Sequence, residues 1–306
     1  MVYCIGETVL DIIFKDDVPL AAKPGGSMLN SAVSLGRAGV PVSFISDYGN
    51  DHPGDLIHRF LDQNNVSTEF VSRYREGKTA LALAFLDNQQ NASYSFYKIF
   101  PEERLTAALP AVQQSDIVLF GSFYALTASI RGTIRDFIQR AKSKGAYIIY
   151  DPNFRNAHLD ELETTRPFIV ENIGFADLIR GSDEDFQCIF GDHDARSAWK
   201  TVSDLGCPFL VYTKNSMGVE VMSKGFTRSF TVPALVPTST IGAGDAFNAG
   251  IIYSLCRMNN PEKPSMQGIE QMIQTAILFS EDVCLSLDNY ISSDFAKRIE
   301  QTQNKH

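Results

Sequence analysis

The stretch Ser239-Thr240-Ile241-Gly242-Ala243-Gly244-Asp245-Ala246-Phe247 sets two glycines and a carboxylate where a loop must turn into a helix. Beyond it, Phe247, Ile251, Leu255 and Met258 recur at close to helical spacing. Glycine lets a backbone approach a ligand closely, and the unpaired N–H groups of a helix start form an anion site. A polyphosphate can dock on such a nest, with Asp245 beside the reacting oxygen as a base. The helix dipole is expected to lower the Asp245 pKa. The stretch fits none of the commonest nucleotide fingerprints. There is no GxxxxGK followed by Ser or Thr, the third glycine of GxGxxG is replaced by Phe247, and the HRD and DFG of protein kinases are missing. Alone, the tetrapeptide Gly242–Asp245 divides evenly between a site and a plain packing device.

With 306 residues, 44% of them hydrophobic, the chain can bury a large core as one α/β domain. A formal charge of −9 argues against non-specific nucleic-acid binding, which needs a basic face. Cys4, Cys188, Cys207, Cys256 and Cys284 are scattered without CxxC spacing, which reads as reduced core thiols. The segment Met1–Glu7 lacks the basic and apolar regions of a signal peptide, and no run approaches the ~20 apolar residues of a membrane span. A soluble, cytoplasmic protein with no nucleic-acid or membrane partner is expected. The histidines at 52, 58, 158, 193 and 306 show no ligand spacing, and Trp199 reads as packing.

Strand-like and helix-like segments alternate, as in a mostly parallel sheet covered by helices. Strands are expected at Val2–Gly6, Val42–Asp47, Ile117–Gly121, Tyr147–Tyr150 and Phe209–Thr213. Helices are expected at Met28–Arg37, Asp51–Asn64, Thr127–Lys144, Arg196–Leu205 and Met266–Cys284. Two pieces break the alternation. Leu10–Phe14 is a strand-like run soon after the first strand, and Thr79–Leu86 and Tyr94–Phe100 flank the polar turn Asp87–Asn91 as a hairpin. Together they predict a small β lid from about 10–24 and 79–100 over the sheet's ligand edge, within a single unit spanning 1–306. The tail Glu300–His306 reads as frayed. Lys98 and Arg104, near the hairpin, read as solvated.

A second cluster shifts the balance for Gly242–Asp245. Gly25-Gly26-Ser27-Met28-Leu29-Asn30 puts a glycine pair before a helix start and an Asn one turn in. Glycines let a polar ligand lie against the backbone, and Asn can both donate to and accept from a hydroxyl; the plain alternative is a loop with an ordinary cap. With Gly36, Gly39 and Gly49-Asn50-Asp51…Gly54 the cluster resembles the N-terminal signature of the ribokinase-like (PfkB) family of small-molecule kinases. Thr240…Gly242-Ala243-Gly244-Asp245 resembles the family's C-terminal signature, DTxGAGD. The resemblance covers nearly the whole chain and implies a three-layer α/β/α domain with a β lid.

It also implies roles. Asp245 matches the base that takes the proton from a sugar hydroxyl, and Gly242, Ala243 and Gly244 match the anion hole for the phosphates. Asp11, with Gly25, Gly26 and Asn30, matches the sugar-binding set; the alternative for Asp11 is a solvated residue at a strand start. Asp151-Pro152-Asn153-Phe154-Arg155 resembles the DxNxR of fructokinase-like and ketodeoxygluconate-kinase-like members, so Arg155 pairs with substrate or phosphate or else with a surface carboxylate. Thr213, Asn215 and Gly218 occupy the place of a TxGxxG nucleotide loop, which Thr240 joins. ATP, Mg2+ and a small sugar are the implied ligands.

The chain also departs from the pattern. Ser239 stands where the family carries an aspartate of a monovalent-cation site, which leaves a potassium requirement unsupported. Asn215 replaces a glycine. The family's NxxE, linked to magnesium, corresponds to Ser182-Asp183-Glu184-Asp185, where Asp185 keeps a carboxylate as a candidate metal ligand. The implied activity is ATP-dependent phosphorylation of a sugar, fructose foremost. Ketodeoxygluconate, ribose and nucleosides are alternative substrates, and a catalytically weak sugar- or nucleotide-binding sensor is the reading from another class. A homodimer through the lid is expected from its exposed β face.

Overall fold

Short apolar runs become inner strands, and the amphipathic segments between them become the helices that cover the sheet. The computed structural model describes residues 1–86, 92–154, 156–258, 261 and 264–303. The first part of the chain forms β1 (Val2–Ile5), β2 (Val9–Lys15), β3 (Val18–Gly25), α1 (Ser27–Arg37), β4 (Val42–Gly49), α2 (His52–Gln63), β5 (Val66–Ser67), β6 (Val71–Tyr74), β7 (Lys78–Leu86) and β8 (Ala92–Ile99). The middle forms β9 (Ile117–Gly121), α3 (Ala128–Ser143), β10 (Tyr147–Asp151), α4 (Leu162–Phe175), β11 (Leu178–Ser182), α5 (Asp183–Phe190), α6 (Ala195–Asp204) and β12 (Phe209–Thr213). The last part forms β13 (Val219–Ser223), β14 (Phe226–Phe230), α7 (Ala243–Leu255), α8 (Met266–Cys284) and α9 (Ser293–Gln303).

The larger sheet runs β14-β13-β12-β11-β10-β9-β1-β4-β5, with β6 also on β4. From β12 to β5 the pairing is parallel; β13 and β14 add an antiparallel edge. Successive side chains of a strand point to opposite faces, so each inner strand feeds two cores. Ile117 and Leu119 of β9 pack with α1, α2, α7, α8 and α9, while Val118 and Phe120 pack with α3 to α6. The result is the expected three-layer α/β/α arrangement. Local chemistry sets the helix starts. Asp51 caps α2 by accepting from Gly54 N (3.0 Å), and capping boxes open α5 (Ser182 with Asp185) and α6 (Asp194 with Ser197).

A separate sheet, β3-β2-β7-β8, forms the lid. The hairpin strands β7 and β8 pair antiparallel as expected, and β2 joins β7 in parallel. The predicted turn Asp87–Asn91 lies outside the described residues, as does Arg155. Ala80, Ala82 and Ala84 of β7 are buried, while Val18 and Leu20 of β3 and Phe96, Tyr97 and Ile99 of β8 are exposed apolar side chains of the lid.

Several expectations need correction. Arg104 is not solvated: it forms a bidentate pair with Asp47 at the end of β4 (2.7 and 2.8 Å), stacks 3.7 Å over the Phe100 ring, and keeps only 3% of its side chain exposed. Lys98, by contrast, is exposed as expected and makes a surface pair with Glu7 at 2.9 Å. The tail read as frayed from Glu300 is helical as far as Gln303, where α9 ends; residues 304–306 lie outside the described part. All five cysteines are free thiols, but only Cys4 and Cys207 are buried, and Cys256 is exposed. Among the described residues no helix is long and apolar enough to cross a membrane.

Candidate active site

Parallel strands end together, so the C-terminal edge of the sheet gathers residues that are remote in sequence: Asp151, Ser182 and Thr213, the last residues of β10, β11 and β12. In open α/β sheets this edge is where ligands bind. The connection from β1 detours through β2 and β3 of the lid before α1 begins, which brings Gly25 and Gly26 to the same edge.

There the two glycine clusters meet. Gly242 caps α7 with φ of +82°, and Asn289 O occupies the space a side chain at Gly242 would need. Such a conformation favours glycine. Asp245 sits in the first turn of α7 and is 7% exposed. Its Oδ1 accepts from Ser27 Oγ (2.7 Å), its Oδ2 from Asn30 Nδ2 (2.8 Å), and its main-chain oxygen from Ser31 Oγ (2.9 Å). Asn153 Nδ2 donates to Ser27 Oγ at 3.2 Å, so the Asp151–Asn153 loop joins the same cluster. Asn30 Oδ1 is buried with no partner, leaving an acceptor beside the carboxylate.

The lid side carries Asp11. A side chain at Gly25 would collide with the Asp11 carboxylate, and one at Gly26 (φ +134°) with Glu7 O. Asp11 lies opposite Lys23 of β3, and Lys23 Nζ donates to Leu287 O at 2.6 Å. Thus Asp11 lies against Gly25, and Gly26 opens the helix whose Asn30 holds Asp245.

On the other side of the Gly242–Asp245 loop lies a cavity of about 610 Å3. Thr213, Asn215, Thr240, Ala243 and Gly244 line it, together with Arg180. Asn215 adopts φ of +48°, the left-handed conformation that Asn tolerates better than most residues. Gly218 (φ +116°) packs where a Cβ would stand 2.5 Å from Phe230 O. Ser239 is occupied locally: its Oγ accepts from Ile241 N at 3.2 Å.

Sequence reasoning did not single out Arg180 or Asn248. Arg180 of β11 is 8% exposed; its Nη1 donates to Asp151 Oδ2 (3.2 Å) and its Nη2 to Thr213 Oγ1 (2.8 Å). Asn248 of α7 donates to the same Asp151 oxygen at 2.5 Å. The available signal for Arg180 was a charged residue inside the short strand Leu178–Ser182, just before a capping box.

Asp185 was the candidate metal ligand. Its Oδ1 accepts from Phe154 N (2.6 Å), and its Oδ2 from Ser182 N and Ser182 Oγ (both 2.7 Å). Burial, and after it the Asp151 charge, push its carboxyl up to about 6. Engaged by three protein donors, this carboxylate ties Phe154 to the start of α5. Among the described residues no group of three or more His, Cys, Asp or Glu side chains could hold a metal ion.

Residues 1–279 match the profile of the pfkB family carbohydrate kinases. The chain is similar to a fructokinase of Vibrio alginolyticus, 25% identical over 258 residues (84% of each chain). It is 29% identical over 272 residues to a fructokinase of Rhizobium leguminosarum bv. trifolii, covering 85% of this chain and 81% of that one. Among solved structures, a fructokinase from Vibrio cholerae O395 with fructose, ADP and calcium ion bound superposes with a TM-score of 0.83 at 22% identity, covering 94% of both chains. An aminoimidazole riboside kinase from Salmonella enterica, complexed with aminoimidazole riboside and an ATP analogue, also reaches 0.83, at 20% identity and 98% coverage of both. These two likenesses bear on the fold.

Proposed function

The chain belongs to the pfkB family of carbohydrate kinases and is a sugar kinase, and we propose that it transfers the γ-phosphoryl group of ATP to a hydroxyl of a neutral sugar, fructose foremost. The observation that carries this reading is the meeting of Gly25–Asn30 with Gly242–Asp245 around one buried carboxylate. A sugar held by Asp11 and Asn30 presents its hydroxyl to Asp245, which takes the proton as the oxygen attacks phosphorus. The N–H groups at the start of α7 hold the phosphates, with the nucleotide in the Thr213–Asn215 cavity. Phosphoryl transfer passes through a loose transition state, so positioning and charge stabilisation supply most of the catalysis.

Charge supports a neutral substrate. Near the lid, Lys98 is paired with Glu7 and Arg104 with Asp47, so neither supplies a free cation for a sugar acid. A divalent ion arriving with ATP would neutralise phosphate charge; among the described residues no group of three or more His, Cys, Asp or Glu side chains could hold it. Ser239 carries no charge for a potassium site. The free thiols support a reducing cytoplasmic setting, and the exposed apolar side chains of the lid support a homodimer, which light scattering at working concentration tests.

ATP consumption measured across fructose, ribose, ketodeoxygluconate and nucleosides tests the substrate. The highest kcat/KM is expected with fructose. Saturable sugar binding without turnover on any of them overturns the kinase reading in favour of a sensor.

A further inference from the structure

We propose that Arg180 meets the phosphate chain of the bound nucleotide and stabilises the charge that gathers on it as the γ-phosphoryl group departs. This rests on the kinase reading above and assigns a residue that neither signature contains.

The geometry points there from three sides. Arg180 lines the 610 Å3 cavity, and among the described residues lining it, it carries the only positive charge. Its guanidinium lies against the anion loop: a methyl group at Gly244 would stand 2.8 Å from Nη1 and 3.1 Å from Nη2. An anion on the N–H groups of that loop is therefore a neighbour of Arg180. Third, the guanidinium is not used up. It has five N–H donors, of which two are taken by Asp151 and Thr213, while Nε is buried without a partner.

Asp151 does not cancel this charge outright. Its Oδ2 is shared with Asn248, and its Oδ1 accepts from Asn153 N at 2.9 Å. The carboxylate thus anchors the guanidinium from below while the cavity side faces the loop. Phe247, whose ring centroid lies 5.8 Å from the guanidinium carbon, helps fix its plane. A preorganised cation of this kind costs no reorganisation when charge develops in the transition state. During transfer the sugar oxygen–phosphorus bond forms and the bond from phosphorus to the β-phosphate oxygen breaks. The hydroxyl proton goes to Asp245, and the electron pair stays on ADP, beside Arg180.

Calorimetric titration of ADP and of adenosine into the wild type, Arg180→Met and Arg180→Lys separates a phosphate contact from a structural role. For Arg180→Met, ADP affinity is expected to fall about 10- to 100-fold, the loss of hydrogen bonds to a charged group, while adenosine affinity stays unchanged. Arg180→Lys is expected to recover part of it. Equal weakening of ADP and adenosine, or unchanged ADP binding, overturns the assignment. Should Arg180→Met fail to fold because Asp151 is left unpaired, Arg180→Met/Asp151→Asn removes the stranded charge and the same comparison decides. A wild type that binds neither ADP nor ATP defeats the kinase reading instead.

Discussion

Asn30 and Asp245, 215 residues apart in sequence, are joined by a 2.8 Å hydrogen bond from the Asn30 side-chain amide to Asp245 Oδ2. With the Ser27 bond to Oδ1 at 2.7 Å, it holds both oxygens of the carboxylate in place. A carboxylate held in this way is preorganised in one orientation.

Asp245→Asn keeps the shape of the side chain and the Asn30 contact but cannot take a proton. We expect kcat to fall by about 10²- to 10⁴-fold, the usual worth of general base catalysis, with the circular dichroism spectrum and unfolding midpoint little changed. Near-normal turnover in this variant would sink the proposed chemistry.

Gly242→Ala tests the loop. A β-carbon there meets Asn289 O, and the φ of +82° is strained for any L side chain. The strain alone costs about 1–3 kcal/mol. Urea unfolding is expected to show at least that loss, along with weaker ADP binding; unchanged stability would mean that the Asn289 segment yields freely.

Arg104→Ala leaves the Asp47 carboxylate buried, with Tyr124 Oη (2.9 Å) as its remaining side-chain partner. Removing one member of a buried pair typically costs about 3–5 kcal/mol, which urea denaturation should register. A loss below about 1 kcal/mol would show that water reaches Asp47 once the guanidinium is gone.

Asp185 makes a pH signature. Its carboxyl is pushed up to about 6 by burial and then by the Asp151 charge, against about 3.9 in an unfolded chain. The folded state therefore holds this proton more tightly. The stability it contributes is fully present below about pH 4 and is lost as pH rises through about 6. Between pH 4.5 and 7.5 the wild type should lose more stability than Asp185→Asn, a comparison in which carboxylates remote from the Asp151–Asp185 pair cancel. Parallel pH profiles for the two proteins would refute the assignment.

Much of this fold is legible in sequence because its signals are local. Glycine pairs before helix starts mark Gly25–Asn30 and Gly242–Asp245, and alternating apolar runs mark β1, β9 and β10. Helix α4 is harder to read, since Pro167 lies inside it and its apolar residues do not keep to one face. The antiparallel strands β13 and β14 carry Glu220 and Arg228, which obscure a strand pattern. Arg104 misleads for another reason: arginine is mostly exposed, and only a partner 57 residues away makes its burial tolerable.

What the sequence by itself determined was the layered architecture, the lid and the two glycine-rich turns, because periodicity, caps and backbone freedom act over a few residues. Tertiary structure alone decided which side chains share a site. It set Ser27, Asn30 and Asn153 around Asp245, turned Asp185 into a brace, and laid Arg180 against Gly244. Those outcomes depend on parallel strands ending side by side, and on charges that stay buried only where folding delivers a partner from far along the chain.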